Sequence, residues 1–293
     1  METTPLTWRH DAFTVGRGGW PRRAVVVNDC GDSDKDARLA HKLSLVSSDH
    51  GVPLVVIAAA QTTPRFTEPH AHARGQIFGA TRGLMTVTTE SGQWVVPPTH
   101  AVWVPPLQRH GASVHGAYEG WSAYLAPLEC LQLPSQPFTM RASGLLREAV
   151  MRAAEWDGVD WDESRSRLLG LVRDEVRDGV QEPLGLPMPQ DRRALRIARA
   201  ITANPADTRS LDQLAHWAGM SARTVTRYFV EETGFNFIDW RQRARLLKAL
   251  ELIAAGQSVT STALEVGYDN VSAFIAMFRR LTGVTPSRYF ATR

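Results

Sequence analysis

SLDQLAHWAGMSARTVTRYFVEETGFNFIDWRQRARLLKALELIAAG, residues 210–256, decides how the C-terminal third of this chain folds. Ser210 predicts a helix start, because its hydroxyl can accept from helical amides that lack an internal partner. The short helix expected over 211–218 ends at Gly219, since glycine enters the left-handed region without a Cβ penalty. Ser221 caps a second helix, 222–233, which stops at Gly234. Two short helices joined by a glycine turn form a helix-turn-helix. A long helix over about 237–255 follows, with Arg241, Arg243, Arg245 and Lys248 beside Trp240, Leu246, Leu247 and Leu250. The pattern then returns. A short helix over 259–266 ends at Gly267, Asp269–Asn270 cap a helix over 271–282, and Gly283 and Pro286 close it. Upstream, Leu195, Ile197, Ala198 and Ile201 predict a leading helix that ends near Asn204–Pro205.

Charge separates this module from the rest. Residues 190–293 hold 15 Lys/Arg and 9 Asp/Glu, a net of +6, while residues 1–189 hold 18 and 21, a net of −3. A basic module on an acidic body suggests a polyanion partner. A recognition helix fits the major groove, where base edges are distinguishable. Two such helices one DNA turn apart read two groove segments on one face of the duplex.

ALEVGYDNVSAFIAMFRRLTGVTPSRYF, residues 263–290, makes the reading specific. Gly267, Tyr268, Ser272, Phe274, Phe278, Arg279, Arg280, Gly283 and Pro286 form a signature that resembles the AraC/XylS family of transcription regulators, over Asp191–Phe290. The resemblance implies double-stranded operator or promoter DNA as a partner, with a homodimer and RNA polymerase contact as family expectations. It places Arg223, Thr226 and Arg227 toward bases, and Thr224 toward phosphate. Their spacing puts the first three on one helix face, and arginine suits guanine O6 and N7. In the second unit the exposed candidates are Asn270, Val271, Ser272 and Ala276, with Arg279 and Arg280 on phosphate. Longer polar side chains are usual in the family where Val271 and Ala276 stand, so the first unit is expected to supply most specificity. An aliphatic residue is usual where Thr262 stands. Leu214, Val225, Phe229, Leu264, Phe274, Phe278 and Leu281 read as core.

Working outward, the chain of 293 residues is comfortable for two domains, and 43% hydrophobic with 22% charged residues excludes disordered and collagenous classes. Two cysteines, Cys30 and Cys130, are too few for a disulfide framework and fit a reducing cytoplasm. The longest nearly apolar run, Val52–Ala60, is too short to span a bilayer, and the N-terminus shows no secretory pattern.

Residues 52–133 have β texture. Short runs at Val55–Ala59, Gly83–Thr88, Trp94–Val96, Val102–Val104 and Ala123–Leu125 alternate with Pro, Gly and polar clusters, which suggests a sandwich or barrel, the jelly roll among them. Trp94, Trp103, Trp121, Phe78 and Tyr124 are expected to line or support its interior. Within it, His70-x-His72-x3-Gln76 and Pro105-x-Leu107-x2-His110 resemble the two cupin motifs. Gln76 replaces the usual glutamate, and Leu107 and Thr99 stand where glycines are usual. His70 and His72 share a face if they lie on one strand. With Gln76 and His110 they form a candidate site for Zn²⁺, Ni²⁺ or Fe²⁺, a metal-free ligand pocket, or a purely structural cluster. His41, His50, His100 and His115 have no such pattern and read as surface.

The expected organisation is mixed α and β in two domains. It comprises a partly irregular extension over 1–50, a cupin-like β-barrel (jelly roll) sensor over 51–135, a helical dimerisation or relay segment over 136–182, a proline-rich linker over 183–190, and an all-α double helix-turn-helix over 191–291. Loops are expected at 16–19, 29–36 and 44–48, and a helix break at 157–162. The leading function is a cytoplasmic, non-enzymatic, sequence-specific DNA-binding regulator controlled by a small ligand or metal. The competing readings are a cupin-type metalloenzyme, an oxygenase or isomerase, with an attached DNA module, and a nonspecific DNA-compacting protein.

Overall fold

The computed structural model describes residues 33–46, 51–156, 160–182 and 184–291. Helix α1 (Ser33–Val46) precedes β1 (Leu54–Gln61), β2 (Arg65–His70), β3 (Gly75–Thr89), β4 (Gly92–Val96), β5 (His100–Val104), β6 (His110–Leu125) and β7 (Phe138–Arg141). Then come α2 (Gly144–Ala154), α3 (Glu163–Arg177) and a short β8 (Gly185–Pro187). The helical module runs α4 (Arg192–Ala203), α5 (Leu211–Trp217), α6 (Ala222–Thr233), α7 (Phe237–Ala254), α8 (Val259–Glu265), α9 (Val271–Thr282) and α10 (Pro286–Ala291).

The β architecture hangs on two long antiparallel strands. β3 and β6 pair from Gly75↔Leu125 to Thr89↔His110, with register slips around Arg82. On one side of the slip, β1 pairs with β6 and β5 with β3, and β7 lies beyond β5. On the other side, β2 pairs with β6 and β4 with β3, and β8 lies beyond β4. The two strands thus serve both halves of a sandwich, and the bulge bends them from one half into the other. Phe78, Val102 and Val104 meet Val87, Trp94 and Val114 in the interior. The runs expected at Gly83–Thr88 and Ala123–Leu125 are ends of these longer strands.

Each half buries its outer face. Ile77, Trp103, Trp121 and Met140 pack under Leu146, Val150, Leu169 and Val172 of α2 and α3. The helical segment therefore covers the sheet. Trp103 and Trp121 lie beneath these helices, while Phe78 and Trp94 line the interior as expected. Leu84 and Val95, on the other half, join one continuous core with Leu186, Ile197, Trp240, Leu250 and Phe274 of the helical module.

The stretch expected as a linker is part of this core. β8 pairs with β4, Leu184 and Leu186 are buried, and Trp240 Nε1 donates to Pro187 O at 2.7 Å. Alternation of inward leucines outweighs the prolines there. Residues 33–46, read as largely irregular, form α1, whose Leu39, Leu43 and Val46 pack on Val55, Ile57 and Tyr124. The expected loops at 16–19 and 29–32, and part of the break at 157–162, fall outside the described residues, as do Cys30, His50 and Pro183. Asp162 caps α3. No helix among the described residues is long and apolar enough to cross a membrane.

Candidate functional site

The helical module presents two helix-turn-helix units, α5–α6 and α8–α9. Ser210, Ser221 and Asn270 cap α5, α6 and α9 as expected, and Gly234 and Gly283 end α6 and α9 in left-handed backbone. Val225 and Phe229 of α6 are fully buried, which turns Arg223 and Arg227 to solvent. Arg227 lies 4.0 Å from Glu231 and over the Tyr228 ring. The hydroxyls of the neighbouring, half-exposed threonines are bonded within the helix and its cap. Thr226 Oγ1 donates to Ala222 O at 3.0 Å, and Thr224 Oγ1 sits 2.8 Å from the capping Ser221 hydroxyl. Arg223 and Arg227 are thus the exposed long polar side chains of this part of α6.

On α9, Phe274, Met277 and Phe278 face the core, leaving Ser272, Ala276, Arg279 and Arg280 exposed. Asn270 is committed to capping, since its Oδ1 accepts from Ser272 N at 2.7 Å. Val271, expected to be exposed, is half-buried against the core. Arg280 hydrogen-bonds Gln242 of α7. Leu264, expected in the core, is 58% exposed, because Thr262, Ala263 and Val266 form the buried stripe of α8.

The cations of α7 are largely structural. Arg241 donates to Asp207 O and Arg209 O, Arg245 Nε donates to Pro205 O at 3.0 Å, and the Arg243 guanidinium stacks 4.0 Å from the Phe235 ring centroid. The charge excess of the module therefore overstates what it offers to a polyanion.

The second candidate lies at one end of the sandwich. His70 ends β2, Gln76 starts β3 and His110 starts β6. His72 lies in the loop after β2, so it does not share a strand with His70. The four side chains nevertheless converge. The ligating nitrogens of His70, His72 and His110 lie within 4.8 Å of one another. Gln76 Oε1 lies 3.0 Å from His72 Nε2 and 2.9 Å from His110 Nε2. Nδ1 of His70 faces Glu68 O at 2.9 Å, and Nδ1 of His110 faces Gln108 O at 2.8 Å. Loss of hydration on burial lowers all three imidazole pKa values, and His110 is pushed down to about 3, so the rings are neutral at pH 7. A neutral ring carries one N–H. His110 faces an oxygen from each nitrogen, so one of its two contacts opposes lone pair to lone pair. A cation removes that conflict, as does a reversed amide with Gln76 donating.

One residue read as surface lies where the β domain meets the helical module. His115 on β6 is part-buried, and its Nε2 lies 2.9 Å from Thr86 Oγ1 on β3. That hydroxyl donates to Glu251 Oε1 of α7 at 2.9 Å. Glu251 is 165 positions from Thr86, and the sequence carries no local signal for the contact.

The N-terminal region matches the family model described as AraC-like ligand binding domain over residues 51–158, and residues 214–292 match the helix-turn-helix domain model. The chain is 31% identical over 258 residues to the HTH-type transcriptional regulator NimR of Escherichia coli K12, spanning 86% of this chain and 94% of that protein. It is 40% identical over 103 residues to the regulator RipA of Corynebacterium glutamicum, spanning 35% and 31% of the two chains. ToxT from Vibrio cholerae is a solved structure similar over 83% of this chain and 98% of that one, at 10% identity and a TM-score of 0.36.

Proposed function

The chain belongs to the AraC family of transcription regulators, and from that premise we propose that His70, His72, Gln76 and His110 hold a divalent transition-metal ion that sets how well its helix-turn-helix units engage DNA. A ligand-binding N-terminal domain and a helix-turn-helix DNA-binding domain make it a transcription regulator. We place it in the cytoplasm as a homodimeric regulator without catalytic turnover, in keeping with its regulator relatives.

The observation that carries the reading is that ligating nitrogens of three neutral imidazoles lie within 4.8 Å of one another, two of them on the Gln76 amide oxygen. Neutral imidazole is the ligating form, and the Nδ1 contacts to backbone carbonyls of His70 and His110 turn their Nε2 atoms inward. Gln76 Oε1 lies 3.0 and 2.9 Å from the Nε2 atoms of His72 and His110, so these residues, with His70, would supply the donors of a bound ion. A bound ion supplies a positive charge and a cross-link between β2, β3 and β6.

The same strands reach the DNA module. β3 carries Gln76 and Thr86, β6 carries His110 and His115, and both lead to Glu251 on the helix that joins the two units. An ion that favours one arrangement of these strands shifts the population that binds DNA.

The test is metal analysis of the purified protein beside His70→Ala/His110→Ala, with DNA binding measured with and without chelator. Stoichiometric metal, lost in the variant together with chelator-sensitive binding, supports the reading. Metal-free protein with unchanged binding overturns it and leaves the histidines lining an organic-ligand pocket. Glu251→Ala should keep the metal while chelator sensitivity falls.

A further inference from the structure

Helix α4 carries Arg192, Arg193, Arg196 and Arg199 and no acidic residue. Ala194, Ile197, Ala198 and Ile201 are fully buried, and this fixes the rotation of the helix with all four arginines in solvent. Among the described residues, Arg193 alone of the four has a carboxylate within 4 Å, Asp191 at 3.7 Å. The face is therefore a nearly uncompensated strip of positive charge.

Its position connects it to α6. Arg193 lines an open groove together with His216, Ser221, Thr224, Arg227 and Tyr228, so α4 and the reading helix are two walls of one concave surface. Arg196 continues the strip. Its guanidinium lies 4.0 Å from the centroid of the Trp217 ring, next to His216 at the end of α5. Stacking uses the face of a guanidinium and leaves its N–H edge free for an anion. Arg209 stacks on the same indole at 4.8 Å but is held by Asp207, with contacts of 2.5–3.1 Å, so Arg196 is the free cation there.

We infer that Arg193 and Arg196 grip a backbone phosphate of the duplex whose major groove α6 enters, which makes α4 a third DNA-contacting element beside the two helix-turn-helix units. The inference rests on α6 reading DNA. Phosphate rather than base is the ligand, because these arginines lie on a different helix from the groove-entering one, and contacts of that kind position a protein without reading sequence.

The experiment measures binding of the full chain to a random-sequence duplex by fluorescence anisotropy across a series of salt concentrations. Each lost phosphate contact lowers the slope of log affinity against log salt by about 0.9. Arg193→Gln/Arg196→Gln, which removes that one contact, should lower it by about 0.9, and should weaken random and in vitro selected sites by the same factor. Arg192→Gln/Arg199→Gln removes equal charge from the same helix. At 100° per residue these positions flank Arg196 at about 40° and 60° but stand about 100° and 120° from Arg193, the α4 residue that lines the groove, and the slope should change by less than half as much. Equal changes in both pairs would assign the effect to the general field of the helix and overturn the contact. An unchanged slope in the first pair would show that α4 does not touch DNA. A wild-type protein without salt-dependent binding would instead sink the DNA reading itself.

Discussion

In the first helix-turn-helix unit, α6 turns Arg223 and Arg227 to solvent; in the second, α9 turns out Ser272, Ala276 and Arg279. The frames beneath these surfaces are nearly the same. Each unit has a seven-residue helix, a left-handed glycine, a twelve-residue helix and a second left-handed glycine. Each longer helix buries aromatic rings, Phe229 in one and Phe274 and Phe278 in the other. The frame is set by capping and burial, while the outward face varies without disturbing it. On the proposed DNA-binding reading, sequence recognition is expected to fall mainly to α6, while α9 offers one small hydroxyl and cations suited to phosphate.

The frames differ most at the turn glycines, and this difference has the largest expected effect. Gly219 and Gly267 both have positive φ, at 70° and 83°. A Cβ on Gly219 would meet nothing within 4 Å, whereas one on Gly267 would lie 2.8 Å from the Cα of Ala206. Gly219→Ala should cost about 1 kcal/mol, the left-handed penalty alone. Gly267→Ala adds a backbone clash and should cost about 2–4 kcal/mol. Thermal unfolding of the two variants checks this, and equal losses would show that the second turn can shift freely.

The surfaces provide the next test. Arg223→Ala and Arg227→Ala should each lose about 1–3 kcal/mol of discrimination between a site selected in vitro and random DNA. Ser272→Ala should lose a few tenths at most, and Arg279→Ala should weaken both DNAs alike. Competition binding separates these outcomes. Comparable discrimination losses at Ser272 and Arg223 would mean that α9 reads bases as much as α6 does.

How legible these features were in the sequence depended on how local their causes are. Caps and glycines act over a few residues, so α6 and α9 fall at 222–233 and 271–282, as the residues imply. β3 is harder to read, because Phe78 and Ala80 face the interior before the bulge and Met85 and Val87 after it. The even-odd alternation breaks at Arg82, and only its second half looks like a strand. β8 hides behind prolines, although Leu184 and Leu186 alternate inward. Thr99 and Leu107, where cupin-like sequences have glycine, are the two non-glycine residues with positive φ among those described, 70° and 64°. Leu107 N donates to His72 O at 2.9 Å, so one strained turn holds a residue of the histidine cluster. The set of histidines was legible as a motif. Their convergence through a loop, and the Thr86–Glu251 contact, depend on pairings between distant strands and helices that no local pattern encodes.

The smallest expected effect concerns the cores of the two units. Leu214 of α5 and Thr262 of α8 hold corresponding places, each followed by a buried alanine, and both are 0% exposed. Leu214 fills its site with carbon. Thr262 brings a hydroxyl that finds no hydrogen-bond partner among the described residues. A buried unsatisfied polar group costs about 1–3 kcal/mol, and replacing it with an apolar group of the same shape recovers part of that. Thr262→Val should therefore stabilise the protein by about 1 kcal/mol and leave DNA binding unchanged, because the side chain is turned away from the reading face. Leu214→Thr, which transfers the defect to the first unit, should destabilise by at least as much, through the lost carbon and the added hydroxyl. If Thr262→Val lowers the melting temperature, the hydroxyl is satisfied in solution, and the second core is as complete as the first.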